Sequence, residues 1–409
     1  MKSLVRKWTG SSLILKIAIG LIIGTVLGLL FPQADYIAIP GTIFIGSLKA
    51  IAPVLVALLV SSSIAGAGNG IGSRFRTVII LYLLSTFTAA ICAVFVSRLF
   101  PVTLILPEAA TGSAPSGLKE IFETLLVNVV ENPVKAVANG NYLGILFWAI
   151  VFGLALKLVA SEKTLAVAND LAAAASKAVS WIIQFAPIGI LGIMYSNIAG
   201  NGLSIFASYG KIILLLVGTM LVVALFVNPL IVAILLKKNP YPLVFRCIWE
   251  SGLQAFFTRS SAANIPVNMK LCEELGLDKD FYSVSIPLGS TINMDGAAVT
   301  ITVMTLSAAA TLGLKVPLPL AIVLSIVSTL GAAGTSGVAG GSLLLIPMAC
   351  SLMGIDSNIA MEVVAVGFII GVVQDSVETA LNSSGDVIFT ATAEFYERRK
   401  KQKKEASAK

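Results

Sequence analysis

Asp375, Glu378, Thr379, Asn382 and Asp386 bring hydrogen-bonding oxygens together at the spacing i, i+3, i+4, i+7, i+11, inside an otherwise apolar segment running from about Ile359 to Thr390. At about 100° per residue these five fall within roughly a quarter of a helix circumference. A carboxylate facing lipid at membrane depth costs on the order of 3 kcal/mol or more, so a stripe with three of them must line a polar cavity. That cavity is the expected working site. Upstream, Asn293-Met294-Asp295-Gly296 places two more polar side chains in an apolar stretch. In a continuous helix Asn293 and Asp295 project about 160° apart, so both serve one site only if the helix unwinds there. Gly296 and the polar pair Ser290-Thr291 favour such a break. Unwinding frees backbone carbonyls, and these with Asn and Asp oxygens are hard, oxygen-only ligands suited to an alkali cation.

The elements that must carry these groups are membrane helices. The chain has 409 residues, 57% of them hydrophobic and only 12% charged, with a mean hydropathy of +0.94. It contains several apolar runs of about 20 residues, the length that crosses a bilayer core. The reading is an all-α polytopic membrane protein. Lys2, Arg6 and Lys7 before the first apolar run resemble a signal peptide; no small-residue cleavage site follows, and the run is expected to stay as a first helix. Gly20, Gly24 and Gly28 within it repeat every four residues, a spacing that lets another helix approach closely. Helices are expected near 13–31, 41–64, 78–100, 142–160, 178–198 and 211–236.

Beyond Lys237-Lys238 the pattern changes. Apolar stretches are interrupted at TRSSAANIP (258–266) and GAAGTSGVAGG (331–341), each interruption lying between two half-length segments and followed by a full-length span. Paired broken segments are the mark of re-entrant hairpins and a midplane binding site. Such backbone persists at membrane depth only where protein or a water-filled cavity covers it. Basic residues cluster in the leader, at Arg74 and Arg76, at Lys237-Lys238 and in the tail from Arg398 to Lys404, whereas the polar stretch 107–141 carries Glu108, Glu120, Glu123 and Glu131. This bias puts both termini in the cytoplasm and the 107–141 loop outside. The net charge of +7 is thereby accounted for without nucleic acid.

With no histidine in the chain, a Ser-His triad, a His-Glu-x-x-His zinc site and a rhomboid-type dyad are all excluded. Cys92, Cys247, Cys272 and Cys350 have no C-x-x-C spacing and are expected to pack as small apolar residues. An intramembrane aspartyl protease would need Gly-x-Gly-Asp; Asp386 follows Ser383-Ser384-Gly385, so the match fails. Lys49, Glu250 and Glu362 sit near the ends of apolar runs, where snorkelling or a helix-start carboxylate explains them, and no role is assigned to them.

TRSS at 258–261, PLGSTINMDG at 287–296, GTSGVAGG at 334–341 and the DSVETALNSSGD face at 375–386 resemble the signature elements of the sodium-coupled dicarboxylate/amino acid symporters, the glutamate-transporter fold. The likeness covers nearly the whole chain, in order and with matching spacing; within the family it is nearest to the bacterial sodium-dependent serine/threonine symporters. The resemblance implies a homotrimer in a bacterial inner membrane, each protomer with eight transmembrane helices and two re-entrant hairpins. It implies a scaffold within residues 1–240, with the third helix contributing to the moving part, an elevator-like transport domain in 241–396, and a basic tail at 397–409.

Carried over residue by residue, the family's sodium sites fall on the Gly289 carbonyl, Asn293, Asn382 and Asp386, and on the Thr291 carbonyl with Ala332, Ala333 and Thr335. A third cation site, present in some members, matches Tyr82, Ser85, Thr86, Asn293 and Asp295. Asp375 matches the partner of the substrate ammonium, Asn382 and the hairpin serines Ser260 and Ser261 the partners of its α-carboxylate, and Gly337, Val338, Ala339 and Gly340 the tip of the extracellular gate. Thr379 lies on the same face. Arg259 is expected to pair with Glu378 or Asp375.

Two departures bear on substrate. Members that take acidic amino acids have an arginine where this chain has Glu378, and a threonine where it has Ala297. An arginine fork suits a carboxylate, so its replacement by a carboxylate inverts selectivity. Glu378 accepts a hydrogen bond from a hydroxyl, and a site built for a hydroxyl discriminates strongly against analogues lacking one. The expected function is sodium-coupled import of L-serine and L-threonine, not enzyme catalysis; symport of acidic or other polar amino acids is the alternative. The sequence leaves the protonation state of Glu378, and a preference for cationic substrates, open.

Overall fold

The computed structural model describes residues 13–66, 73–106, 130–334 and 340–407, and among these every regular element is a helix. In chain order they are α1 (Leu13–Leu30), α2 (Ile39–Gly66), α3 (Ser73–Leu99), a short α4 (Pro133–Asn139), α5 (Tyr142–Val159), α6 (Glu162–Gln184), α7 (Ala186–Asn201), α8 (Ile205–Val222) and α9 (Asn228–Leu236). The first expected hairpin follows as α10 (Tyr241–Cys247), α11 (Leu253–Thr258) and α12 (Ser261–Glu274), and the next span as α13 (Lys279–Ile292) and α14 (Asp295–Thr311). The second hairpin comprises α15 (Leu318–Ala332), a 3-10 turn (Ser342–Leu345) and α16 (Ile346–Leu352), and the chain continues into α17 (Ser357–Ser407).

Among the described residues, five helical stretches are long and apolar enough to cross a membrane, and a sixth is formed if the bent pair α6 and α7 is one span. Large apolar side chains stand exposed, among them Leu158 and Leu214 on α5 and α8 and Trp249 and Phe257 in the first hairpin, which suits a chain surrounded by lipid. In contrast, α14 is buried over nearly its whole length, and α17 is buried from Val363 to Gly371 and again from Leu381 to Glu394. These two adjoining helices form the centre of the molecule, with α3, α8 and both hairpins around them.

Local chemistry explains the breaks. Asn293 and Met294 leave helical geometry (φ −93°, ψ 80° and φ −120°, ψ 52°), so the expected unwinding is present and separates α13 from α14. In the first hairpin the interruption is narrower than 258–266: only Arg259 and Ser260 are non-helical, and α12 runs through Pro266. Arg259 is left-handed at φ 51°, which turns the chain, and Ser260 caps α12 by accepting from Ala263 N at 3.2 Å. Two π-helical turns, Val223–Val227 and Ile248–Gly252, stand just before Asn228 and around Ser251; each inserts a residue into the helical register and re-aims a polar side chain.

The expected helix at 178–198 is corrected. Helix α6 begins at Glu162 and ends at Gln184, and α7 follows after a bend of 56° at Phe185. Pro187 near the start of α7 has no N–H to continue the preceding helix, which makes the bend there inexpensive. Polar residues between Glu162 and Lys177 hide the first part of α6 from a hydropathy reading.

The glycine ridge of α1 does pack a helix. Gly24 lies against the Leu191 carbonyl of α7 and Gly28 against the Tyr195 carbonyl, where a Cβ would come within 2.9 Å. Cys247, Cys272 and Cys350 are buried free thiols, while Cys92 is only partly buried. Lys49 and Glu250 gain partners that the sequence reading did not assign: Lys49 Nζ donates to Asn358 Oδ1 at 2.6 Å, and Glu250 pairs with Arg246 at 2.9 Å. The polar run 107–129, the N-terminal leader and the second-hairpin residues 335–339 lie outside the described residues.

On the side carrying the basic tail, Arg74 pairs with Asp278 at 2.7 Å, and Glu394 accepts from Asp278 N and pairs with Arg398. Arg74, followed by the Asp280 amide, holds the Asp278 carboxyl below its ordinary range. A depressed carboxyl contributes stability above its unfolded pKa and loses it as pH falls through the folded value. The thermal midpoint should therefore drop below about pH 4, and Arg74→Gln should flatten that part of the profile. Gly24→Leu should destabilise the α1–α7 seam by about 2 kcal/mol or more, read as a lowered thermal midpoint in detergent.

Candidate functional site

All five residues of the α17 stripe are buried, so the amphipathic face read from sequence points inward. They form two neighbouring polar centres, one at the α13–α14 break and one between the two hairpins.

At the break, Asn293 Nδ2 donates to Asp386 Oδ1 and to the Asn382 carbonyl, both at 3.1 Å, and Asn293 Oδ1 accepts from Ser85 Oγ at 3.1 Å. Asp295 Oδ1 accepts from Thr86 Oγ1 at 3.1 Å, and Thr86 Oγ1 accepts in turn from Met294 N at 3.2 Å. The Tyr82 hydroxyl lies 2.8 Å from Thr390 Oγ1, 3.1 Å from the Ser285 carbonyl and 3.2 Å from the Asp386 carbonyl. Gly289 fits where nothing larger would: a Cβ there would lie 2.8 Å from the Tyr82 hydroxyl and 2.9 Å from Asp386 Oδ1. Helix α3 therefore delivers Tyr82, Ser85 and Thr86 to the same place as Gly289, Asn293, Asp295, Asn382 and Asp386.

Asp386 is fully buried and its Oδ2 has no hydrogen-bond partner. An ionised oxygen left bare in a low dielectric is costly, so this atom has room for a donor or a cation. The surrounding groups are carbonyl, amide, hydroxyl and carboxylate oxygens, the donor set of a hard cation. Among the described residues no group of three His, Cys, Asp or Glu side chains gathers as a transition-metal site would require.

In the second centre, Asp375 Oδ1 accepts from Gly340 N at 3.3 Å, while Oδ2 lies 3.6 Å from Arg259 Nη1 without a hydrogen bond. Of the two expected partners of Arg259, the structure selects Asp375. Thr379 Oγ1 donates to the Asp375 carbonyl at 2.7 Å, an intrahelical bond that turns this hydroxyl back on its own helix. Asn382 joins the two centres: its Oδ1 accepts from Gly296 N at 2.7 Å, and its Nδ2 lies 3.4 Å from Met294 Sδ. Ser261 and Ala297 are buried, and Ser260 is the α12 cap.

Glu378 is more tightly held than the sequence implied. Its Oε2 accepts from Thr300 Oγ1 at 2.7 Å, Ser342 Oγ at 2.9 Å and Gln374 Nε2 at 2.5 Å. Gly296 abuts it, since a Cβ there would lie 2.8 Å from Glu378 Cα. The fit admits no side chain at 296.

Several of these residues escaped the sequence reading. Asn228 donates to Asp295 Oδ2 at 2.8 Å, and its signal was a lone Asn-Pro in an apolar span. Thr300, Ser342 and Gln374 left no such signal. Ser251, Asn264 and Asn268 form a buried amide-hydroxyl knot with Ser383, with Asn264 Nδ2 at 2.8 Å and Asn268 Nδ2 at 3.0 Å from Ser383 Oγ, so the first hairpin is tied to α17 beside Asn382. Thr291 is exposed with its hydroxyl on the Leu288 carbonyl, and Ala332 and Ala333 end α15; their grouping rests on the resemblance. Thr335, Gly337, Val338 and Ala339 lie outside the described residues.

The description "sodium:dicarboxylate symporter family" belongs to a family model that matches residues 13–394 of this chain. The chain is 59% identical over 390 residues to the serine/threonine transporter SstT of Bifidobacterium adolescentis, covering 95% of this chain and 91% of that protein. It is 54% identical over 396 residues to proteins of the same name from Streptococcus thermophilus and Streptococcus agalactiae, covering 96% of this chain and 98% of each.

Asn228→Leu removes the donor from one oxygen of a fully buried carboxylate. It should destabilise the protein by about 1–3 kcal/mol, seen as a lower thermal midpoint. An unchanged midpoint would mean that Asp295 has no need of Asn228.

Proposed function

The chain belongs to the sodium:dicarboxylate symporter family, and from that footing we propose that it imports L-serine and L-threonine, drawn inward by the sodium gradient. It is a sodium-coupled, multi-pass membrane transporter and not an enzyme, which disposes of the aspartyl protease alternative. The observation that carries the choice of substrate is Glu378, buried and gathering hydroxyl donors at the position where acid-transporting relatives are expected to have arginine. The names of the serine/threonine transporters at 54–59% identity support the same choice.

Sodium is the cargo that charges the site. One ion is held by Asp386, Asn293, Asn382 and the Gly289 carbonyl, with Asp386 Oδ2 as the oxygen that needs it. A second takes the Thr291 carbonyl and the end of α15 at Ala332, Ala333 and Thr335. Tyr82, Ser85, Thr86, Asn293 and Asp295 form a third cation position. The amino acid then sits between the hairpins. Asp375 receives its ammonium, Asn382 with Ser260 and Ser261 its carboxylate, Glu378 its hydroxyl, and Gly337 to Gly340 cover it. Asp375 is offset by Arg259 until an ammonium arrives, because an unpaired buried carboxylate is costly. Ala297 offers no hydroxyl to an acidic side chain.

Residues 241–396 together with α3 move as one transport domain against a scaffold drawn from residues 1–240, in a homotrimer of eight-span protomers with two re-entrant hairpins each. Both termini and the tail 397–409 face the cytoplasm of a bacterial cell with the protein in its inner membrane. The basic residues at 74, 237–238 and 398–404 support that orientation.

Purified protein in liposomes should accumulate labelled L-serine under an inward sodium gradient and not under potassium, with L-glutamate excluded. Sodium-driven glutamate uptake would retain the family and overturn the argument from Glu378. Asp386→Asn should remove the rise in thermal midpoint that sodium produces in the wild-type protein. Glu378→Arg combined with Ala297→Thr should weaken serine uptake at least tenfold, the effect of about 1.4 kcal/mol, and admit aspartate.

A further inference from the structure

Asp375 and Glu378 stand one turn apart on α17 and hold two points of a single short segment. Asp375 accepts the Gly340 amide at 3.3 Å, and Glu378 accepts the Ser342 hydroxyl at 2.9 Å. The segment 340–342 leads out of the second hairpin tip into the 3-10 turn that begins at Ser342. Gly340 is left-handed at φ 74°, and Phe368 beneath it leaves a Cβ only 2.9 Å of room, so the segment has little freedom to bond elsewhere while it lies on α17.

These are the two carboxylates that the proposed function assigns to the substrate ammonium and hydroxyl, and the present inference rests on that reading. We propose that Ser342 is a built-in stand-in for the substrate hydroxyl, so that ligand and hairpin compete for Glu378. Thr300 and Gln374 keep the carboxylate placed throughout, because neither belongs to the hairpin. A ligand with an ammonium and a hydroxyl on adjacent carbons replaces both hairpin contacts at once. Alanine replaces the one at Asp375 and leaves Ser342 on Glu378. Selectivity for hydroxy amino acids then arises from an exchange of like for like: each buried acceptor keeps a donor with the hairpin engaged, and again with serine bound.

Removing the stand-in should therefore favour the true ligand. In sodium-containing detergent solution, Ser342→Ala in the full chain should bind L-serine roughly tenfold more tightly than wild type, with L-alanine affinity unchanged or reduced, the size of effect that one buried charge-assisted hydrogen bond produces. Ser342→Thr should return serine affinity to the wild-type value. Ser342→Cys, which keeps nearly the same volume with a weak donor, should shift in the same direction as alanine and serves if the alanine variant does not fold. Weaker binding of serine and alanine alike, or serine affinity unchanged in both the Ala and Cys variants, would overturn the competition while leaving serine transport intact. Wild-type protein that fails to bind serine in sodium would overturn the transport reading, and this inference with it.

Discussion

A carboxylate withdrawn from water must meet donors or a cation, and this requirement governs the centre of the molecule. Asp295, Asp375, Glu378 and Asp386 are all buried, three of them on one helix. Each is compensated differently. Asp295 has a hydroxyl and an amide; Glu378 has two hydroxyls and an amide; Asp375 has a backbone N–H and an offset guanidinium; Asp386 has Asn293 on one oxygen and nothing on the other. The graded satisfaction is itself functional information. Asp386 and Asp375 each keep an oxygen without a hydrogen bond, whereas Glu378 is already supplied with donors, one of them from the second hairpin.

The irregular backbone follows from the same need. Helix α13 stops at Ile292 so that Asn293 and Asp295 reach one side, the π-helical turn before Asn228 brings that amide to Asp295, and the π-helical turn around Ser251 brings a hydroxyl into the knot on Ser383. The break at Asn293-Met294 interrupts the helical hydrogen-bond ladder, and the π-helical turns shift it by one residue. Such backbone persists because protein covers the exposed backbone groups. Close helix approach at the glycine ridge of α1 does the opposite work at the periphery, where packing of backbone on backbone needs no polar group.

Substrate selection in such a site is a matter of which ligand leaves no buried group unpaired. Glu378, already surrounded by hydroxyls, sets a different requirement from an arginine at the same place. In its proposed role Glu378 is a poor partner for another carboxyl group, and a methyl group would leave this acceptor without a donor. The sodium proposed beside Asp386 would belong to the same accounting, since a cation there would lower the cost of keeping that carboxylate buried.

The sequence alone determined the class, the break at Asn293-Met294 and the polar stripe, because these are one-dimensional properties; the first-hairpin break it placed too broadly. Membrane spans are set by run length, and the 3.6-residue period put Asp375 through Asp386 on one face. The offset of Asn293 and Asp295 required a break that the backbone indeed contains. The motifs also carried the family. What lay beyond it was everything that depends on partners distant in the chain. Asn228 reaches Asp295 from 67 residues away, Ser342 reaches Glu378 from 36, and the choice of Asp375 over Glu378 for Arg259 turns on distance. The start of α6 was hidden because its polar face balances its apolar one. Tertiary structure alone decides such pairings, because a buried donor is recruited by where helices cross, and a single polar residue in an apolar run records only that it must have a partner and not which one.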